Sequence, residues 1–113
     1  MATIKSYTDI EQSRKLAKIL PLESADMYWD LLSKDKYAKV NNIGHCLGRT
    51  CVYAWSLAAL LDALPEIQGD KPVISLYDNY ITYPLMSDLH TKADNLVDAC
   101  VAMIEKLHEL KML

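Results

Sequence analysis

Hydrophobic and polar positions at the two ends of the chain recur with the spacing of amphipathic helices. In the first segment, "YTDIEQSRKLAKILP", Thr8 followed by Glu11 is the pattern of a capping box, and Pro21 ends the helix. In the last segment, "TKADNLVDACVAMIEKLHELKML", Thr91 with Asp94 forms a second capping pattern. The wide apolar face of this last helix consists of Leu96, Val97, Cys100, Val101, Met103, Ile104, Leu107 and Leu110.

The middle segment "AWSLAALLDALP" is apolar on nearly every side and carries one charge, Asp62. Ser56 is a good N-cap, and Pro65 closes the segment, so a third helix is predicted between them. We expect this helix to be covered on two sides. Its leucines Leu57, Leu60, Leu61 and Leu64 would face a sheet, and its alanines Ala58, Ala59 and Ala63 would allow close approach of another helix.

Two pairs of β-rich runs separate the helices. "SADMYWDLLS" is predicted to be a strand, because a helix would place Asp26 and Asp30 one turn apart, where like charges repel. "RTCVYAW" then pairs with it as a wide hairpin across a polar connection. In "KPVISLYDNYITYPL" two further strands flank Asp78 and Asn79, which tolerate a left-handed backbone and predict a tight hairpin.

These elements predict one α+β domain over residues 1–113, in the order α-β-β-α-β-β-α. Four strands joined by hairpins should form a four-stranded antiparallel sheet with helices packed on one face. The connection over residues 34–48 has room for a short strand of its own.

Composition restricts the partners and the compartment. The chain is 51% hydrophobic and 24% charged, as ordered globular proteins are, and its net charge of −3 argues against a nucleic-acid-binding surface. Three cysteines, without a secretory leader, indicate a reducing cytoplasm. The apolar run over residues 51–61 is shorter than the roughly 20 residues of a membrane span.

Candidate metal and cofactor sites are weak in this sequence. "HCLGRTC" places His45, Cys46 and Cys51 close together, but zinc needs about four ligands and no second short-spaced pair exists. The three glycines are too far apart for a phosphate-binding loop. We therefore expect no bound metal or cofactor.

The titratable residues allow enzymatic and structural interpretations. Cys46 with His90 is the one nucleophile–base pair worth testing, although Arg49 is the only cation near Cys46. Asp26 and Asp30 on one strand would lie about 13 Å apart, too far for a glycosidase pair, and indicate a solvated strand face. His108 favours the C-terminal dipole of its helix, and Cys100 lies on the apolar stripe and is expected to be structural.

Interaction surfaces give the predicted function. Tyr28, Tyr53, Tyr77, Tyr80 and Tyr83 fall in predicted strands, and tyrosine is common both at interfaces and in half-buried sheets. The apolar and aromatic content exceeds what the predicted elements can bury, so we expect a non-catalytic interaction module that binds a second copy or another protein. The interface candidates are Trp55, Leu57, Tyr77, Tyr80 and Tyr83.

A weaker alternative is a nucleic-acid accessory factor that uses Lys34, Lys36 and Lys39 around Tyr37. Asp35 dilutes this basic stretch, and the stretch carries less charge than loops that follow a phosphate backbone. A small enzyme with a Cys46/His90 site is the other alternative.

Three stretches resemble small proteins without assigned function from gut Bacteroides-type bacteria. The stretches are "YTDIEQSRKLAKILPLESADMYW", "AWSLAALLDALP" and "DNLVDACVAMIEKLHELKML", roughly half of the chain. This resemblance implies a bacterial, cytoplasmic protein encoded on a prophage or another mobile element, and it implies no activity.

Overall fold

The computed structural model describes residues 5–32, 37–40 and 50–113. In this part of the chain three α-helices and six strands form an α+β fold, as predicted, but the order is α-β-β-β-α-β-β-β-α. The elements are α1 (Ile10–Leu16), β1 (Met27–Asp30), β2 (Lys39–Val40), β3 (Cys51–Ala54), α2 (Leu57–Ala63), β4 (Val73–Ser75), β5 (Tyr80–Tyr83), β6 (Met86–Lys92) and α3 (Leu96–Glu109), with a short 3₁₀ helix at Leu22–Ser24.

The first sheet has the strand order β2-β1-β3 and is antiparallel throughout. Met27 lies opposite Ala54 and Asp30 lies opposite Cys51, so the predicted pairing of these two segments is confirmed. β2 adds two residues from the polar connection to the other side of β1.

The second sheet is an antiparallel meander with the order β4-β5-β6. The predicted hairpin between β4 and β5 is confirmed, with Ser75 opposite Tyr80 and a left-handed Asn79 at φ 52°. The prediction of a single four-stranded sheet is wrong: the two predicted strand pairs belong to separate sheets, and each sheet contains a third strand. β6 escaped prediction because its segment "MSDLHTK" is mostly polar, as a half-exposed edge strand can be.

The core of the protein is built around α3, and not around α2 as the sequence suggested. α3 packs against β5, β6, α1 and α2. Its side chains at Val97, Cys100, Met103, Ile104 and Leu107 have no exposed surface, and Leu110, directly after its last residue, is 51% exposed. The wide apolar face therefore contacts sheet on one side and helices on the other.

α2 packs against α3, and its predicted contact with a sheet is not among the main packing contacts of the described elements. Leu60 and Leu64 are buried, whereas Ala58 is exposed. Ser56 caps the helix as predicted, by accepting a hydrogen bond from the Ala59 N–H. None of the helices in the described ranges is long and apolar enough to cross a membrane.

Both predicted capping boxes are displaced in the structure. α1 begins after Asp9, whose side chain and that of Gln12 make the reciprocal bonds expected of Thr8 and Glu11. The N-cap of α3 is Asn95, whereas Thr91 lies in β6 and its hydroxyl donates to the Ala99 carbonyl.

Residues 5–8, which we call the N-terminal strap, connect α1 to the residues at the start of α2. The Thr8 N–H donates to the Trp55 carbonyl at 3.0 Å, and the Leu57 N–H donates to the Ser6 carbonyl at 3.0 Å. The Thr8 hydroxyl accepts the Trp55 N–H at 3.1 Å and shares a buried hydrogen bond with Ser13. The strap thus fixes the start of α2 beside α1.

Candidate functional site

The turn between β4 and β5 projects apolar side chains into solvent. Asn79 takes the left-handed conformation, and its side chain donates to the Asp94 carbonyl at 3.1 Å, which ties the turn to the segment before α3. The Asp78 N–H donates to the Ser75 hydroxyl at 3.4 Å. Between these anchors, Leu76 and Tyr77 are 74% and 96% exposed.

The outer face of the second sheet continues this surface. Register places Val73 opposite Thr82, Thr82 opposite His90, and Tyr80 opposite Lys92, so their side chains share one face of the sheet. The rings of Tyr80 and His90 stack, with centroids 5.8 Å apart and planes inclined by 29°. Val73 is 54% exposed.

The opposite face of the same sheet is buried. Ile81 and Tyr83 have no exposed surface, and α3 packs onto this face through its contacts with β5 and β6. We call the set Val73, Leu76, Tyr77, Tyr80 and His90 the outer-face surface.

A second apolar surface lies at the other end of the sheet. A cleft of about 640 Å³ opens between the start of β6 and the C-terminal end of α3. The Lys106 ammonium donates to the Asp88 carbonyl at 3.1 Å beside it. Its apolar lining consists of Leu85, Met86, Leu89, Leu110 and Met112.

The predicted interface residues divide into buried and accessible ones. Trp55 and Tyr83 have no exposed surface: the Trp55 indole donates to the Ser24 hydroxyl at 2.9 Å, and the Tyr83 hydroxyl donates to the Pro65 carbonyl at 2.7 Å. Leu57 is half-buried against the core. Tyr77 and Tyr80 lie together on the outer-face surface.

The predicted nucleophile pair is not assembled in the described part of the chain. His90 lies exposed on β6 against Tyr80, and Cys46 lies outside the described residues. Cys51 is disulfide-bonded, which corrects the expectation of a reduced core thiol. Cys100 is a free thiol in the core, and its burial raises its pKa to about 12, so it is not an activated nucleophile.

The remaining titratable candidates are Asp26, Asp30 and His108, and both aspartates accept hydrogen bonds within the fold. Asp26 lies just before β1 and accepts hydrogen bonds from the Ser56 N–H and hydroxyl. Asp30 lies 3.8 Å from Lys39 and also accepts the Leu32 N–H. His108 is exposed in the last turn of α3, as predicted.

Two other predicted sites fall largely on residues that are not described. Lys34, Lys36 and His45 lie outside the described ranges, and Lys39, which is described, is engaged by Asp30. Among the described residues no group of three or more His, Cys, Asp or Glu side chains could hold a metal ion.

Sequence reasoning missed the apolar residues beside the turns, above all Val73, Leu76 and Leu85. Leu76 adjoins the predicted turn at Asp78 and Asn79. Turn residues are usually polar, so an apolar side chain beside a turn indicates an exposed apolar surface. Comparisons of the chain with protein families, with curated proteins and with solved structures find no match.

Proposed function

We propose that this protein is a non-catalytic interaction module that forms a homodimer through its outer-face surface. One observation supports this proposal: Val73 is exposed on the face of the sheet opposite α3, which it shares with the half-buried Tyr80, and Leu76 and Tyr77 are exposed in the turn at the end of the same hairpin. Contiguous exposed apolar patches mark interaction sites, and tyrosine contributes an apolar body with a polar tip.

A two-fold contact suits this surface. In a two-fold dimer the same patch meets itself, so an aromatic centre with charges at its edge is self-complementary when both signs are present. Tyr80 lies at the centre, Lys92 lies beside it, and Asp78 is exposed in the adjoining turn. Apolar burial then provides the affinity, and the charges set the orientation of the two protomers.

Light scattering on a size-exclusion run tests the dimer. The wild-type chain should elute at twice its mass of 12.8 kDa, and the double variant Tyr77→Ser, Tyr80→Thr should elute as a monomer at the same concentration. Leu85→Ser is the matched control, because Leu85 is 77% exposed at the opposite end of the sheet. A monomeric wild-type protein at high concentration would contradict self-association. Absorbance at two wavelengths in the same run would reveal co-eluting nucleic acid.

We also propose a cytoplasmic location, which the odd number of three cysteines supports, and we expect the disulfide on Cys51 to be reduced there. Thiols can be counted by alkylation and mass spectrometry of protein denatured rapidly in cells without reductant. Three modified cysteines would support the cytoplasm. One modified cysteine, Cys100, would show that the disulfide persists and would contradict that location.

A further inference from the structure

Two cations of α1 and the turn after it lie over a cleft against the first sheet. Arg14 is in the last turn of α1, and Lys18 follows four residues later, so both side chains point to the same side. The cleft between them and β3 has a volume of about 470 Å³. The other described residues that line it are Ala17, Leu22, Cys51, Val52 and Tyr53.

Neither cation is neutralised within the described part of the chain. The ion pairs found there involve Lys5 and Lys39, and the side chains of Arg14 and Lys18 make no hydrogen bond there. None of the described lining residues is acidic. This positive site stands out in a chain whose net charge is −3.

Two other clefts contain carboxylates beside their cations. Lys106 shares its cleft with Asp88, and the cleft lined by Lys15 and Lys18 also contains Glu105 and Glu109, although neither lysine forms an ion pair within the described residues. A cation at the end of a helix is favoured by the dipole, but this explains Arg14 and Lys15 equally. It does not explain why the cleft under Arg14 and Lys18 combines positive charge with apolar walls.

We propose that this cleft binds a small organic anion. Its phosphate or carboxylate group lies between Arg14 and Lys18, since guanidinium forms paired hydrogen bonds with such groups and ammonium adds a second charge. Its apolar or aromatic body lies against Leu22 and Tyr53. Ligand sites of this size commonly pair apolar walls with a few polar groups that fix orientation.

Titration followed by amide NMR of the full chain tests the site with four probes: phenyl phosphate, benzoate, inorganic phosphate and phenol. We expect phenyl phosphate or benzoate to shift the amides of Ala17, Val52 and Tyr53. Inorganic phosphate should bind more weakly because it lacks the apolar body. Phenol should bind more weakly because it lacks the anionic group. Whichever of the two organic anions binds more tightly identifies the head group.

Arg14→Gln and Lys15→Gln form a matched pair of adjacent charge removals on one helix. Arg14→Gln should weaken the organic anion about tenfold, whereas Lys15→Gln should change its affinity less than about twofold. Added salt should weaken binding to the wild-type cleft by screening the two cations. Thermal unfolding of both variants establishes that they are folded.

Three outcomes would overturn the proposal. The first is the absence of saturable shifts with either organic anion. The second is phenol binding as tightly as phenyl phosphate, which would make the cleft merely apolar. The third is an equal loss in Arg14→Gln and Lys15→Gln, which would reflect a general electrostatic effect. None of these results depends on whether the protein dimerises.

Discussion

At the scale of single residues, the Lys5 and Asp98 side chains belong to one hydrogen-bonded cluster, in which each of them has three partners. The Lys5 ammonium lies 2.7 Å from Asp98, 2.8 Å from the Gln12 amide oxygen and 3.3 Å from Asp9. Asp98 also accepts from Gln12 at 2.8 Å and from Asn95 at 2.9 Å. The cluster therefore joins the first turns of α1 and α3, where carboxylates are favoured by the helix dipole.

Acid should weaken this cluster. Burial by itself would raise the pKa of Asp98, but hydrogen bonds from Lys5, Gln12 and Asn95, with the Lys5 charge, outweigh it and lower that pKa. A lowered folded-state pKa adds stability above the unfolded value near 3.9, and this stability is lost as the pH falls through the folded value.

Asp98→Asn should therefore lower the free energy of unfolding at neutral pH by up to about 1 kcal/mol, since the pair is partly exposed and screened. The difference from wild type should shrink in acid. Urea unfolding at neutral and at acid pH measures this difference in the free energy of unfolding. Lys5→Met, which removes the main partner of Asp98, should show the same difference from wild type. A difference that does not depend on pH would contradict this assignment.

Alkali acts on a different residue. Burial, followed by the nearby Asp70 charge, raises the pKa of Tyr83 to about 12. A raised folded-state pKa means that the stabilisation is complete below the unfolded value near 10 and is lost as the pH rises towards 12.

Tyr83→Phe should cost about 1 kcal/mol at neutral pH, because the Pro65 carbonyl loses its donor. The variant should lose less stability than wild type between about pH 10 and 12. Denaturant unfolding across that range measures both effects. Tyr37→Phe, at a residue that is 54% exposed and lies outside the outer-face surface, is the control and should behave as wild type, and equal alkaline loss in both variants would contradict the role of Tyr83.

At the scale of elements, α3 was predictable from the sequence, whereas β6 and the residues that cap α1 and α3 were not. Its apolar stripe is long and periodic, so its position and its buried residues follow from the sequence. The capping box of α1 shifted because Thr8 accepts the Trp55 N–H instead, and that of α3 shifted because Thr91 lies in β6 and donates to the Ala99 carbonyl; no local pattern reveals these tertiary contacts. β6 does carry an alternation, with Asp88, His90 and Lys92 exposed and Leu89 buried between them.

The central position of α3 predicts a steep gradient of mutational cost along one helix. Met103→Ala removes a fully buried side chain and should lower the free energy of unfolding by about 2–5 kcal/mol. Leu110→Ala, at a position 51% exposed, should cost less than about 1 kcal/mol. Urea unfolding of both variants measures the contrast, and equal costs would contradict the placement of α3.

At the scale of the whole molecule, the apolar surplus seen in the sequence is divided between the core and several exposed places. Much of it lies around α3, which absorbs Trp55 and Tyr83 into the core. Other parts are exposed in the outer-face surface, in the cleft beside Leu85, and at Leu22, Leu31, Leu32 and Tyr37. Of the predicted interface candidates, Tyr77 and Tyr80 are accessible, but the buried Trp55 and Tyr83 could not be separated from them, because residue type alone does not show which face of a strand a helix will cover.

The N-terminal strap has a consequence for synthesis of the chain. Lys5 and its partner Asp98 are separated by 93 positions, and the strap also bonds to residues around Trp55. On the ribosome, the strap and α1 are made before α3 and lack this helix partner until α3 has emerged. We expect this part of the nascent chain to remain open until then and to close in one late step, because contacts this distant in sequence are slow to form and the partly made chain exposes α1 to chaperones.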